Sequence, residues 1–268
     1  MLRCVALFVI ALVGVATSPA HPEIDEALAR LAAALASAPN DASLYLERGE
    51  LYAKHEDWTS AEANYVIVAE LAPRLSGLAL ARGALALARG NPTEARSFLD
   101  VATTADSTNP TAFVLRARAF GRLGLRKAAL GDYAAAFRLL TSPSPELYLE
   151  RAALFASPAE AIRSLDEGIA QLGPILSLHL RALELEISLG RTDDALSRID
   201  LLTSTSERRE LWLKRRGDIL TSAGRRADAR AAYEAALLAI ASLPAWLANS
   251  PDTVRLSAEL IRLATTPP

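Results

Sequence analysis

Seven alanines, Ala27, Ala61, Ala95, Ala129, Ala161, Ala195 and Ala229, recur at intervals of 34, 34, 34, 32, 34 and 34 residues. A fixed period of roughly 20–50 residues marks stacked structural units, each burying an apolar face on its neighbours, and not one globular core. That constrains function as well as fold. Stacked units present a long surface to partners and seldom carry catalysis.

Within one period the pattern is helical. In residues 42–75, Leu44, Tyr45, Gly49, Leu51 and Tyr52 fall at helical spacing, and His55-Glu56-Asp57 interrupts them. Ala61, Tyr65, Val68 and Leu71 then recur every three or four residues until Pro73. This is helix, turn, helix, stop. Gly49 and Ala61 are small where two antiparallel helices must approach, and Tyr52 and Tyr65 are large where space must be filled. Other periods repeat the scheme: Gly83, Gly90, Ala95 and Leu99, with Pro92 in the turn; Phe113, Ala117, Phe120, Gly124, Ala129 and Tyr133; Gly217, Leu220, Gly224, Ala229 and Tyr233. The fifth period holds Ala182, Gly190, Ala195 and Ile199, with one extra residue before the turn. The fourth opens like the first, Leu147-Tyr148-Leu149-Glu150-Arg151-Ala152 matching Leu44-Tyr45-Leu46-Glu47-Arg48-Gly49, and then needs a tight turn at Ser157-Pro158.

The arrangement resembles the tetratricopeptide repeat, through Tyr45, Gly49, Ala61, Tyr65 and Pro73 and their counterparts over about residues 23–241. The resemblance implies an all-α, right-handed α-solenoid of about six helix hairpins. Residues 23–39 read as a lone second helix that covers the first hairpin. Ser250-Pro251-Asp252 opens a last helix whose Val254, Leu256, Leu260 and Ile261 cover the sixth. The expected organisation is residues 1–20 signal peptide, 21–41 N-terminal capping helix, 42–241 six repeats, and 242–268 C-terminal capping helix.

One departure from the family pattern recurs in all six units. The residue before the small first-helix position, usually apolar in the family, is arginine: Arg48, Arg82, Arg116, Arg151, Arg181 and Arg216. Neighbours three and four residues away share its helix face, and only Arg181 has a carboxylate there, Glu184. A buried guanidinium without acceptors is costly. The structural reading has each arginine bond carbonyls at a neighbouring helix end or a carboxylate of the next unit, its stem covering apolar surface. The alternative has some guanidiniums hold an anionic group of a partner.

In the family the first helices line a concave face where partners lie. By register one inner row would be Leu46, Leu80, Val114, Leu149, His179 and Lys214, an apolar channel with a basic end suited to an extended or helical segment. Glu47, Glu50, Glu150 and Glu186 read as solvated charges.

Chemistry is sparse. His21, His55 and His179 belong to no metal-ligand spacing, and there is no P-loop, G-x-S-x-G or dinucleotide fingerprint. His21 would capture copper only as a free N-terminal residue. Asp193-Asp194 and Glu184/Glu186 sit where surface charge is expected. Cys4 is the only cysteine, which leaves an exported chain without disulfides or thiol chemistry. Net charge is −2 with no basic run, which argues against nucleic acid. Residues 1–20 carry one basic residue, Arg3, then an apolar run over residues 4–16, then Ser18-Pro19-Ala20 as a cleavage site. Thirteen apolar residues fall short of the roughly 20 that span a bilayer, so no stable membrane span is expected once the signal is removed. Lys54, Lys127 and Lys214 are the only lysines, and an arginine- and alanine-rich chain points to a bacterial source. The expectation is a periplasmic or extracellular scaffold, not an enzyme and without cofactor, that binds a protein or peptide in its groove. The other reading is a carrier of a small apolar or anionic ligand in that groove.

Overall fold

The structure, a computed structural model, describes residues 22–265. The expected signal peptide and His21 lie outside the described residues. Fifteen helices and no strand occur among the described residues, so the fold is all-α.

The chain divides into two compact units, the first ending at Ala105 and the second beginning at Asp106. The first holds α1 (Pro22–Ser37), α2 (Ala42–Lys54), α3 (Trp58–Leu71), α4 (Leu78–Ala88) and α5 (Pro92–Ala105). The hairpins α2–α3 and α4–α5 stack through α3 against α4, and α1 covers α2. The second unit holds α6 (Pro110–Arg122), α7 (Arg126–Leu139), α8 (Pro145–Leu154), α9 (Pro158–Leu172), α10 (Leu176–Ser188), α11 (Thr192–Thr205), α12 (Arg209–Ser222) and α13 (Arg226–Ala241). These are four hairpins stacked in chain order. The single turn α14 (Ala245–Ala248) leads to α15 (Pro251–Thr265), which packs on α13. Each unit is thus solenoid-like.

Local chemistry sets the helix ends. The Asp41 and Asp57 carboxylates accept from the Ser43 and Ser60 amides, and Asn109 accepts from Thr111 and Ala112, which satisfies first-turn donors. Pro92, Pro110, Pro145, Pro158 and Pro251 open helices where no amide is needed. Between the two helices of a hairpin, Gly90, Gly124, Gly190 and Gly224 take φ of 66–75°, and Glu56 does the same in the first hairpin at φ 61°. The fourth hairpin differs. Phe155 and Ser157 run extended, with no left-handed residue, so a shortened α8 is joined to α9 by three residues.

The recurring alanines are where the helices meet. Ala61, Ala95, Ala129, Ala161, Ala195 and Ala229 are only 0–4% exposed. Across from them the small first-helix residue accepts a large side chain. The Tyr65 ring lies over Gly49, Leu99 over Gly83 and the Tyr233 ring over Gly217. Close backbone approach with dense packing is the stabilising device that repeats along the chain.

Candidate functional site

The six arginines are engaged, and their partners follow a rule. Arg48 donates to Asn64 at 2.8 Å. Arg116 makes two bonds to Asp132, at 2.7 and 2.9 Å. Arg151 donates to Glu167 at 2.6 Å and to the Ser164 hydroxyl at 2.8 Å. In each case the acceptor 16 residues on lies on the second helix of the same hairpin. Arg82 has Phe98 at that position. It turns back to the Tyr65 carbonyl at 3.4 Å and to Glu62. Arg216 also turns back, to Asp200, and Arg181 pairs with Glu184 on its own helix. The partners therefore lie in the same or the preceding hairpin, not in the next one. Aromatic faces explain how a guanidinium sits in an apolar stripe. Arg48 lies over Tyr45, Arg82 over Phe98, Arg116 over Phe113 and Phe120, and Arg151 over Phe137 at 4.5 Å. The delocalised cation is attracted to the ring quadrupole and loses little on leaving water there.

The inner row is less open than its register suggests. Leu46 is half-buried against Gly77, and Leu80 and Leu149 are half-buried. Val114 is 8% exposed and belongs to the core of the third hairpin. The basic end is not available as drawn. Lys214 is paired with Asp218 at 3.0 Å and with Glu259 of α15 at 3.2 Å. Burial alone would lower its pKa, but these two carboxylates hold it above the usual value.

His179 is buried at 2% exposure inside a charged network. Arg198 on α11 makes two bonds to Glu186, at 3.0 and 2.6 Å, and a third to Asp166 on α9 at 2.9 Å. Its third nitrogen lies 3.4 Å from His179 Nδ1. A guanidinium only donates, so Nδ1 is the acceptor and Nε2 carries the proton. Burial, then Arg198, pushes the His179 pKa below its ordinary value, against the pull of Asp166 and Glu186. Glu186 is only 2% exposed, and Glu150 accepts from Arg118 twice and from the Tyr133 hydroxyl. Neither is the solvated charge its helix position suggests. His179 and Arg198 border a hollow of about 320 Å³ together with Asp166, Asp194 and Leu201.

A second hollow, of about 330 Å³, lies between the first helices α10 and α12. Leu180, Leu183, Leu211 and Trp212 line it, with Glu184 and Arg215 at the edge. Leu180 and Leu211 are 38% and 47% exposed, and Leu176 beside them 49%. These are not the residues of the inner row. Leu180, Leu183, Leu211 and Trp212 stand one to four positions away from His179 and Lys214 on the same helices. The sequence signal was a leucine repeat on α10 (Leu176, Leu180) that no packing position of the hairpin uses.

Among the described residues no cluster of three metal-ligating side chains occurs, and no helix is long and apolar enough to cross a membrane.

Residues 164–246 match a family model described as a tetratricopeptide repeat-like domain. No curated protein matches the chain. Among solved structures, the C-terminal part of a TPR repeat-containing protein from Cytophaga hutchinsonii aligns with a TM-score of 0.64 at 14% identity, covering 87% of this chain and 94% of that one. A tetratricopeptide repeat protein from Parabacteroides merdae aligns with a TM-score of 0.53 at 19% identity, covering 84% and 99%. The structure of Naa15/Naa10 bound to HypK-THB aligns with a TM-score of 0.53 at 16% identity, covering 90% of this chain and 39% of that one. At these identities the neighbours speak to fold alone. The C-terminal hairpins thus match a tetratricopeptide repeat-like domain over residues 164–246, and the hairpins before them repeat the same packing.

Proposed function

We propose that this chain is an exported, non-enzymatic interaction scaffold that holds a segment of a protein partner in the cleft between α10 and α12. The observation that carries the reading is that cleft. Leu180 and Leu211 stand in water beside Trp212, with Leu176 also exposed on α10, while the remaining apolar residues of these two first helices are buried or half-buried. A leucine with over a third of its surface exposed gains by burial, about 25 cal/mol for each Å² removed from water. Fold neighbours agree in kind, since Naa15/Naa10 is a structure of an assembly.

The test is photo-crosslinking from position 180 in the envelope of the producing cell, with Leu211→Asp as the control. A discrete crosslinked partner lost on Leu211→Asp supports the reading. A crosslink pattern identical in wild type and Leu211→Asp rejects binding in this cleft. Export is tested separately by fractionation and N-terminal sequencing. A mature chain starting at His21 is expected, and a cytosolic chain retaining Met1 refutes export.

A further inference from the structure

The two end helices are halves of one hairpin. α1 occupies the place of a second helix and α15 that of a first helix, and neither has its hairpin partner among the described residues. The exposures show it. Six of the seven ruler alanines are buried to 4% exposure or less, while the seventh, Ala27 on α1, is half-exposed. Ala34, seven residues on, is also half-exposed, while its counterparts Val68, Ala136 and Ala236 are fully buried. On α15, Ala258 stands where Gly49, Ala117, Ala152 and Gly217 are buried, yet it is exposed. Val254 and Ile261, one turn to either side, are 54% and 51% exposed. They correspond to Tyr45 and Tyr52 of the first hairpin.

We infer that a second copy of this chain covers these faces, α15 of one copy and α1 of the next closing a hairpin between molecules. The hairpin rule fixes the register. Gly49 meets Tyr65, which places Ala258 on Leu31 of the neighbouring copy, and an alanine–leucine pair is already accommodated in the core that joins Ala152 and Leu165. Arg48 bonds Asn64, which places Ser257 beside Arg30 of the neighbour. Arginine and its acceptor exchange helices here, and Arg30 is exposed with no partner among the described residues. The helices run antiparallel, so Arg262 in the last turn of α15 comes to the end of α1 that carries Asp25 and Glu26. The contact is head-to-tail, so it propagates as an open chain of molecules unless the rotation closes a ring.

Sedimentation velocity on the purified protein from about 1 to 300 µM tests this, with Ile261→Arg at the tail and Ala34→Arg at the head. Wild type should grow beyond a dimer as concentration rises. Each variant alone should remain monomeric. An equimolar mixture should form a heterodimer and nothing larger, because each variant keeps one intact end; that mixture also proves both variants folded. A wild type that stays monomeric throughout overturns the inference. So does self-association of Ala34→Arg, which would mean that α15 pairs with itself.

Discussion

Gly217→Ala should destabilise the protein although alanine is the better helix former. Gly217 lies inside α12, and a methyl there would sit 2.2, 2.5 and 2.7 Å from Cε1, Cδ1 and Cζ of Tyr233. Carbon atoms rest about 3.5–4.0 Å apart, so the ring or the helices must yield by about 1 Å. The ring cannot swing out, because it is 3% exposed and its hydroxyl is bonded to Asp218 at 3.1 Å and to Thr221 at 3.0 Å. Overpacking of this kind costs about 1–3 kcal/mol. Helix propensity returns about 1 kcal/mol. The third hairpin carries Ala117 and Tyr133 in one core, so a hairpin can be spaced for the methyl, and the cost should stay near the middle of that range, about 2 kcal/mol. The net loss is then about 1 kcal/mol, or about 2–4 °C in a unit of this size. Thermal and urea unfolding followed by circular dichroism measure it, against Gly131→Ala. Gly131 is an exposed helical position in α7 with nothing within 4 Å of the added carbon, so there alanine should stabilise by about 0.5–1 kcal/mol. If Gly217→Ala raises the midpoint as much as Gly131→Ala does, the close approach of α12 and α13 is not what the glycine is for.

Two further outcomes follow from the buried charges. Arg116→Ala strands Asp132, 7% exposed, and should cost about 3–5 kcal/mol, while Arg116→Leu combined with Asp132→Leu should recover most of it; a double-mutant cycle by urea unfolding decides between these. His179 has a pKa held below 6.5 in the folded chain, so the unfolded chain takes up the proton first as pH falls. Its contribution is complete above pH 6.5 and is lost as pH drops below that value, so the difference in stability between wild type and His179→Gln should shrink in acid, and a constant difference would refute the assignment.

The hairpins were legible because their signal is local and repeated. The small residues, the aromatics and the helix-opening prolines act within one period, and the register of Ala61, Ala95 and Ala129 survives in the fold without a shift. What the sequence hid lies between helices. His179 and Leu46 hold the same register position, and nothing on α10 says that Arg198, 19 residues on, closes over one of them. Glu186 looked solvated for the same reason: its cation comes from α11. The short link at Phe155 was expected as a tight turn, but an extended path joins the helix ends with fewer residues.

The arginines divide by what stands 16 residues on. Where it is Asn64, Asp132 or Glu167 the guanidinium is tied across its own hairpin. It then has a structural task, and recruiting it for a ligand would break a partly buried pair. In the fifth hairpin that position is Ser197, and Arg181 turns instead to Glu184 on its own helix, both side chains about half-exposed, at 47% and 58%. A surface pair of this kind contributes about 0–1 kcal/mol, so exchanging Glu184 for a carboxylate of another molecule costs little. Arg181 is also the arginine whose helix neighbours, Leu180 and Glu184, line the cleft. If a partner segment lies there, an acidic residue on it should meet Arg181 and Arg215, and Arg181→Gln should weaken binding while Arg116→Gln should act through stability alone. Equal losses of affinity at matched folded fraction would remove Arg181 from the interface.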